Sequence, residues 1–223
     1  AQFDESFWSH VGHAFKNAGR TFLRGWSFGL LGSAPEKAAN TRHWRMLSRY
    51  ASAFALLADL SLLTLGGALK RREMLSARLG DILAEIYLLG AVLKRYEEEG
   101  RREEDVAIVD YLMLKGESRI VTAFDGVLDN LPARWATWVV RFIAFPFGLP
   151  RAAPSDRLTQ KVAEILLVPS SQRDRLTPGL YLGEGRPGHP VRDLEEAFSL
   201  AVEAAAIRKR IRNSDVRTTE EAA

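Results

Sequence analysis

With 223 residues, 47% of them hydrophobic and 26% charged, the chain can bury a core as one large domain or two small ones and is not a disordered tail. It has no cysteine, which excludes disulfides, thiolate zinc sites and cysteine nucleophiles and fits a reducing compartment. The net charge of +3 comes from arginines scattered among acids rather than gathered in one stripe, which argues against nucleic acid as a partner.

The chain opens Ala1-Gln2-Phe3, with neither a signal peptide nor an initiator methionine, and reads as a piece of something longer. A first amphipathic helix is expected over residues 3–23, with Phe7, Val11, Ala14, Phe15, Ala18, Phe22 and Leu23 inward. Residues 24–34 then form a glycine-rich break. It lacks the Gly-Lys-Ser/Thr ending and the preceding strand of a phosphate loop. A second helix is expected over 41–65, capped by Asn40 or Thr41 and stopped by Gly66-Gly67. From Tyr50 onward it is apolar nearly all round, the mark of a central core helix or a membrane span. Asp59 would cost about 2.5–3.5 kcal/mol at a bilayer centre, which favours the core. There it needs a buried partner, and Arg71, Arg72 and Arg78 are the nearest in sequence.

Residues 71–100 carry the clearest pattern in the chain. Leu75, Leu79, Ile82, Ile86, Leu89, Leu93 and Tyr96 recur in alternating steps of four and three, one sealed face of a helix expected over 70–98. Gly100 stands where a C′ glycine belongs. A fourth helix is expected over 103–130, with Val109, Leu112, Met113, Ile120, Phe124, Val127 and Leu131 inward. Short connections among these helices favour antiparallel neighbours. The expected fold is therefore all-α, a long-helix bundle over 1–131 with a smaller helical and loop-rich appendix over 132–223.

Within the appendix, RWATWVVRFIAFPFGLP (134–150) carries two tryptophans and three phenylalanines beside Arg141. It is too short to span a bilayer. Trp135, Trp138, Phe142 and Phe145 suit either a headgroup layer or another polypeptide surface, and periodicity does not separate the two. A short helix over 155–167, a helical turn over 170–175, a glycine- and proline-rich loop over 177–190, a last helix over 191–212 and a fraying end over 213–223 follow. No stretch reads as a strand.

Little in the chain suggests chemistry. His10 and His13, three apart on a helix, lack a third ligand, with Asp4 and Glu5 poorly placed to help. Asp81 and Glu85 read as surface ion-pair partners, and His43 and His189 are isolated. No nucleophile elbow is present. Lys70, Arg71 and Arg72 would serve an anionic ligand as readily as Asp59. An independent enzyme built on His10, His13 or Asp81 is one rival reading, and a standalone helical interaction protein is another. No catalytic, cofactor-binding or metal-binding residue is assigned.

The run LADLSLLTLGGALKRREMLSARLGDILAEIYLLGAVLKRYEEEGR (57–101) resembles the C-terminal region of the long bacterial acyl-CoA dehydrogenases of fatty-acid β-oxidation, the FadE type. The resemblance extends to FDESFWSHVGHAFKNAGR (3–20), to FPFGLPRAAPSDRLTQKVAEILLVPSSQRDRL (145–176) and to PGLYLGEGRPGHPVRDLEEAF (178–198). It implies a parent enzyme that uses FAD to oxidise acyl-CoA to trans-2-enoyl-CoA, with a catalytic glutamate and flavin site in an upstream core. The family's VEGxN-type segment around that base is absent here, so no catalytic position carries over. The implied partners are the upstream core of the same polypeptide, acyl-CoA reached through that core, and further copies in a homo-oligomer. The implied setting is the bacterial cytoplasm, with peripheral contact at the inner membrane.

Overall fold

The computed structural model describes residues 2–150, 153–181, 183 and 188–212, without the side chains of residues 2–7, 10 and 206. The end over 213–223, expected to fray, lies outside the described residues. The fold is all-α, and no strand occurs among the described residues.

The chain divides into two compact units, Ala1–Thr159 and Gln160–Ala223. That boundary falls later than the expected break after residue 131, because the fifth helix packs on the first two. The first unit contains α1 (Gln2–Trp26), α2 (Thr41–Leu65), α3 (Glu73–Glu98), α4 (Val106–Asn130) and α5 (Arg134–Ala144). α3 lies along α4, α2 packs on α1 and α3, and α5 packs on α1 and α2.

The stripe of α3 seals as its period demands. Leu75, Leu79, Ile82, Leu89, Leu93 and Tyr96 are buried. They meet Val109, Met113, Ile120, Phe124, Val127 and Leu128 of α4 in a core that Tyr50 and Leu57 of α2 complete. At Gly116 the two long helices pack tightly, since a Cβ there would lie 2.6 Å from Leu89 Cδ2. α3 ends in a Schellman arrangement: the Gly100 N–H donates to Glu97 O at 3.4 Å and the Arg101 N–H to Tyr96 O at 3.0 Å, with Gly100 at φ +90°.

Two helix starts differ from expectation. Residues Gly66–Arg71 form a 3₁₀ segment, so α3 begins at Glu73 rather than at 70, and Glu103–Asp105 form another before α4. The run Thr41–Arg71 is long and apolar enough to cross a membrane. Within the chain its α2 part packs on α1, α3 and α5, with Tyr50, Ala53 and Leu57 fully enclosed, but only 28% of the apolar window is buried and Leu62 and Leu63 stay exposed.

α1 departs in part from the expected orientation: Ala18 packs against the core and Val11 and Ala14 are half-buried, as expected, but the bulky residues are not. Its buried residues are Asn17, Thr21 and Gly25, all small or polar, whereas Phe15, Phe22 and Leu23 are exposed. The reason is the closeness of the neighbouring helices. A Cβ on Gly25 would stand 2.4 Å from Ile143 O and 2.8 Å from Ala144 O, so only glycine fits there. Thr21 Oγ1 donates to Ser52 O at 2.8 Å, stitching α1 to α2 through a hydroxyl rather than through apolar bulk.

Described by itself, the second unit holds the end of α6 (Asp156–Leu166), then α7 (Ser171–Leu176) and α8 (Pro190–Arg212). The Ser170 hydroxyl caps α7 by accepting from the Arg173 N–H at 3.2 Å. Arg173 grips the Glu195 carboxylate with both terminal nitrogens and lies 4.8 Å over the Phe198 ring, which ties α7 to α8.

Candidate functional site

Two features of the first unit exceed what packing requires. One is an uncovered aromatic surface. Trp8, Phe15, Phe22 and Trp26 recur at steps of seven, seven and four, so they stand on one face of α1. Phe15 is 74% exposed. Gly12 and Gly19 sit along the same ridge with open space where a Cβ would be. At the C-terminal end the ridge joins α5 and the segment after it. Trp26 meets Phe22 at 5.3 Å, Phe142 edge-on at 5.5 Å and Phe147 at 5.9 Å, and Phe28 stacks on Phe147 at 4.6 Å. The Trp26 indole N–H donates to Phe142 O at 3.2 Å.

Of the four residues expected to meet a membrane or partner, Trp135, Trp138 and Phe142 are exposed on one face of α5, Trp138 at 73%. Phe145 is not among them. It is 3% exposed and packs edge-on against Phe124 at 5.2 Å. α5 ends at Ala144, and Pro146 disfavours helical backbone at the residue before it. Phe145 therefore leaves the helical face and turns into the core. Arg141 is also committed within the unit, donating to Asp125 at 3.3 Å and Asp129 at 3.1 Å of α4.

The expected ion pair at Asp59 does not form. Asp59 accepts a hydrogen bond from Asn17 Nδ2 at 3.1 Å, on the α1 side. Arg71 and Arg72 are exposed. They follow a further six residues of α2, about 9 Å of helical rise, and a reversal through the 3₁₀ segment. Arg78 lies on α3, where a Cβ on Gly126 of α4 would come within 2.8 Å of its Nε. Of the residues considered for chemistry, His13 and Asp81 are exposed, and Glu85 pairs with Arg119 at 2.9 Å. The side chain of His10 lies outside the described residues, as do those of Asp4 and Glu5. Among the described residues no group of three or more His, Asp or Glu is placed to hold a metal ion.

The second feature is a cavity of about 610 Å³ in the first unit, between the loop after α1, the first turns of α2 and the middle of α4. Arg42, Arg45 and Arg49 line it from α2, and Asp110 and Glu117 from α4. His43 Nε2 lies 2.9 Å from Asp110 Oδ1, and the Tyr50 hydroxyl donates to Glu117 Oε1 at 2.7 Å. Burial first, and then the negative charge of Glu117, hold the Tyr50 phenol protonated well beyond its ordinary range. Burial pulls the Arg49 guanidinium below its ordinary value, and the neighbouring Tyr50 and Glu117 side chains oppose that shift. Phe28 is the single benzenoid ring in the lining, and two of its charged groups are carboxylates, so the residues present do not fit a flavin dinucleotide.

Sequence reasoning missed both features. The sevens of Trp8, Phe15 and Phe22 were there to find, as was the 42–45–49 spacing that places three arginines on one helical face.

The described residues form an all-α domain with a largely exposed aromatic face on α1. Over residues 1–221 the chain matches the family described as acyl-CoA dehydrogenase, C-terminal, bacterial type, and it belongs to that family. No solved structure matches it.

Proposed function

We propose that this domain is the non-catalytic support of an FAD-dependent enzyme that oxidises long-chain acyl-CoA to trans-2-enoyl-CoA in fatty-acid β-oxidation. It packs on the flavin-bearing core of the same polypeptide in the bacterial cytoplasm. The core holds the FAD and receives the acyl-CoA, and the assembly is a homo-oligomer. The observation that carries this reading is the α1 ridge, where Trp8, Phe15 and Phe22 are exposed while the same helix buries amide, hydroxyl and glycine. A contiguous apolar face of this kind marks an interaction surface. Coexpression of the core with this chain is the test. The pair should copurify, and Phe15→Ser with Phe22→Ser should abolish copurification while leaving the helical circular dichroism intact. Halves that never associate overturn the reading.

A second contact is supported by Trp135 and Trp138, which are exposed on α5 beside Arg134. Tryptophan next to arginine suits the headgroup layer, and this face would rest peripherally on the inner membrane. Wild-type chain should sediment with anionic liposomes, and Trp135→Ser with Trp138→Ser should not. Equal sedimentation of the two removes lipid from the account.

A further inference from the structure

We propose that α8 pairs antiparallel with the α8 of a second copy of this chain. The contact deepens the homo-oligomer reading above by naming one of its interfaces. It needs no flavin-bearing core, so the chain alone tests it and its failure leaves the copurification test untouched.

α8 runs for 23 residues, yet none of its described side chains is buried. The side that meets α7 carries Glu195 and Phe198, both engaged by Arg173. At 3.6 residues per turn, Asp193, Ala197, Leu200, Ala204, Ile207 and Ile211 fall on the opposite side. They recur in steps of four and three, the spacing of a coiled-coil seam. Leu200, Ile207 and Ile211 are exposed by 64%, 56% and 56%. A helix with so little packing gains most of its stability from whatever covers such a seam.

Charge says what covers it. Residues 190–203 hold Asp193, Glu195, Glu196 and Glu203 against Arg192 alone, whereas residues 204–212 hold Arg208, Lys209, Arg210 and Arg212 and no acid. The helix is therefore its own complement when reversed. An antiparallel copy brings each acidic half beside a basic half, twice, and opposes the two helix dipoles. A parallel copy would set acid on acid and base on base. The seam fits the same way: pairing about residue 202 lays Leu200 on the partner's Ala204 and Ile207 on the partner's Ala197, large against small. Glu203 would face its own copy across the axis, one repulsive pair against several attractive ones. An anionic bilayer suits this face less well, because Asp193, Glu196 and Glu203 stand on or beside the seam.

Sedimentation equilibrium of the full 223-residue chain tests the contact. Wild type should dimerise, and Glu203→Gln should tighten the dimer. Asp193→Lys with Glu196→Lys, and separately Arg210→Glu with Arg212→Glu, should each weaken it by roughly tenfold or more. Mixing the two charge variants should restore a dimer, a rescue that simple unfolding of α8 would not give. Because the chain has no cysteine, single spin labels report direction. Labels at Arg192→Cys should lie about 20 Å farther apart across the dimer than labels at Ser199→Cys, twice the rise of seven residues. A monomeric wild type would overturn the proposal and leave the seam to another polypeptide. So would a dimer indifferent to both charge changes, as one built on the α1 ridge would be, a mixture that fails to pair, a Glu203→Gln dimer weaker than wild type, or equal distances at the two labels.

Discussion

Gly25→Ala is the sharpest probe of how α1 is seated. The added Cβ would fall 2.4 Å from Ile143 O and 2.8 Å from Ala144 O. Both are backbone atoms near the end of α5 and cannot rotate aside, so relief requires the helices to part by somewhat under 1 Å, on the order of the overlap itself. Overpacking of this kind costs about 1–3 kcal/mol. Parting the helices also strains the 3.2 Å hydrogen bond from the Trp26 indole to Phe142 O, about 1 kcal/mol more. A loss of about 2–4 kcal/mol lowers the melting temperature by roughly 4–16 °C for a chain of this length. Gly19→Ala, six residues earlier on the same helix, is the internal control. Nothing lies within 4 Å of its Cβ position, so relief of backbone entropy should stabilise it by about 0.5–1 kcal/mol. Thermal unfolding followed at 222 nm compares the two. If Gly25→Ala melts at or above the wild-type temperature, α1 does not meet α5 through this glycine, and the exposed ridge loses its structural basis.

Tyr50→Phe removes the hydroxyl that donates to Glu117 at 2.7 Å and leaves a half-buried carboxylate to find another donor. The expected cost is about 1–2 kcal/mol in urea unfolding, with an unchanged m-value. In the second unit, the hydrogen bond from Arg173 holds the Glu195 carboxyl below its ordinary value of 4.5. A carboxyl depressed in the folded state contributes stability that is complete above the ordinary value and is lost as pH falls through the lowered one. The α7–α8 contact should therefore persist at neutral pH and weaken below about pH 4.5. Glu195→Gln should abolish that dependence, as read from the Phe198 ring signals by NMR.

The parts of the fold legible in the sequence are those in which one apolar stripe does all the packing. α3 and α4 are of this kind: every residue expected inward on α3 is buried or nearly so, and on α4 only Leu112 stays exposed. Periodicity fails where the buried face is not the apolar one. On α1 the hydrophobic pattern points to Phe15, Phe22 and Leu23, but the helix is held by Asn17, Thr21 and Gly25, spaced four apart and too small and polar to register as a core stripe. Phe145 was misplaced because 134–150 reads as one aromatic run, although Pro146 ends the helical register just before it. The cavity was hidden for another reason. Its walls join residues nearly seventy positions apart, such as His43 with Asp110, and no local pattern encodes that meeting.

The exposure of the bulky residues of α1 also bears on why the domain exists in this form. Joining α1 to α2 by a hydroxyl and an amide, and to α5 across a glycine, brings the backbones close and fixes their register, at the expense of leaving the bulkiest side chains of the helix outside. In an isolated protein that arrangement forgoes burial worth about 2 kcal/mol per aromatic ring and invites aggregation. It becomes favourable when a partner covers the ridge. Trp8, Phe15, Phe22 and Trp26, exposed by 68%, 74%, 41% and 41%, together then offer roughly 4–5 kcal/mol of gross burial. A core on the same polypeptide would meet that surface without the translational cost that separate molecules face. The slots at Gly12 and Gly19 would admit ridges from a facing helix, which a flat bilayer would leave unfilled. The α1 ridge therefore suits a protein partner better than lipid, whereas Trp135 and Trp138 on α5 have no such slots between them and remain the better candidates for the membrane.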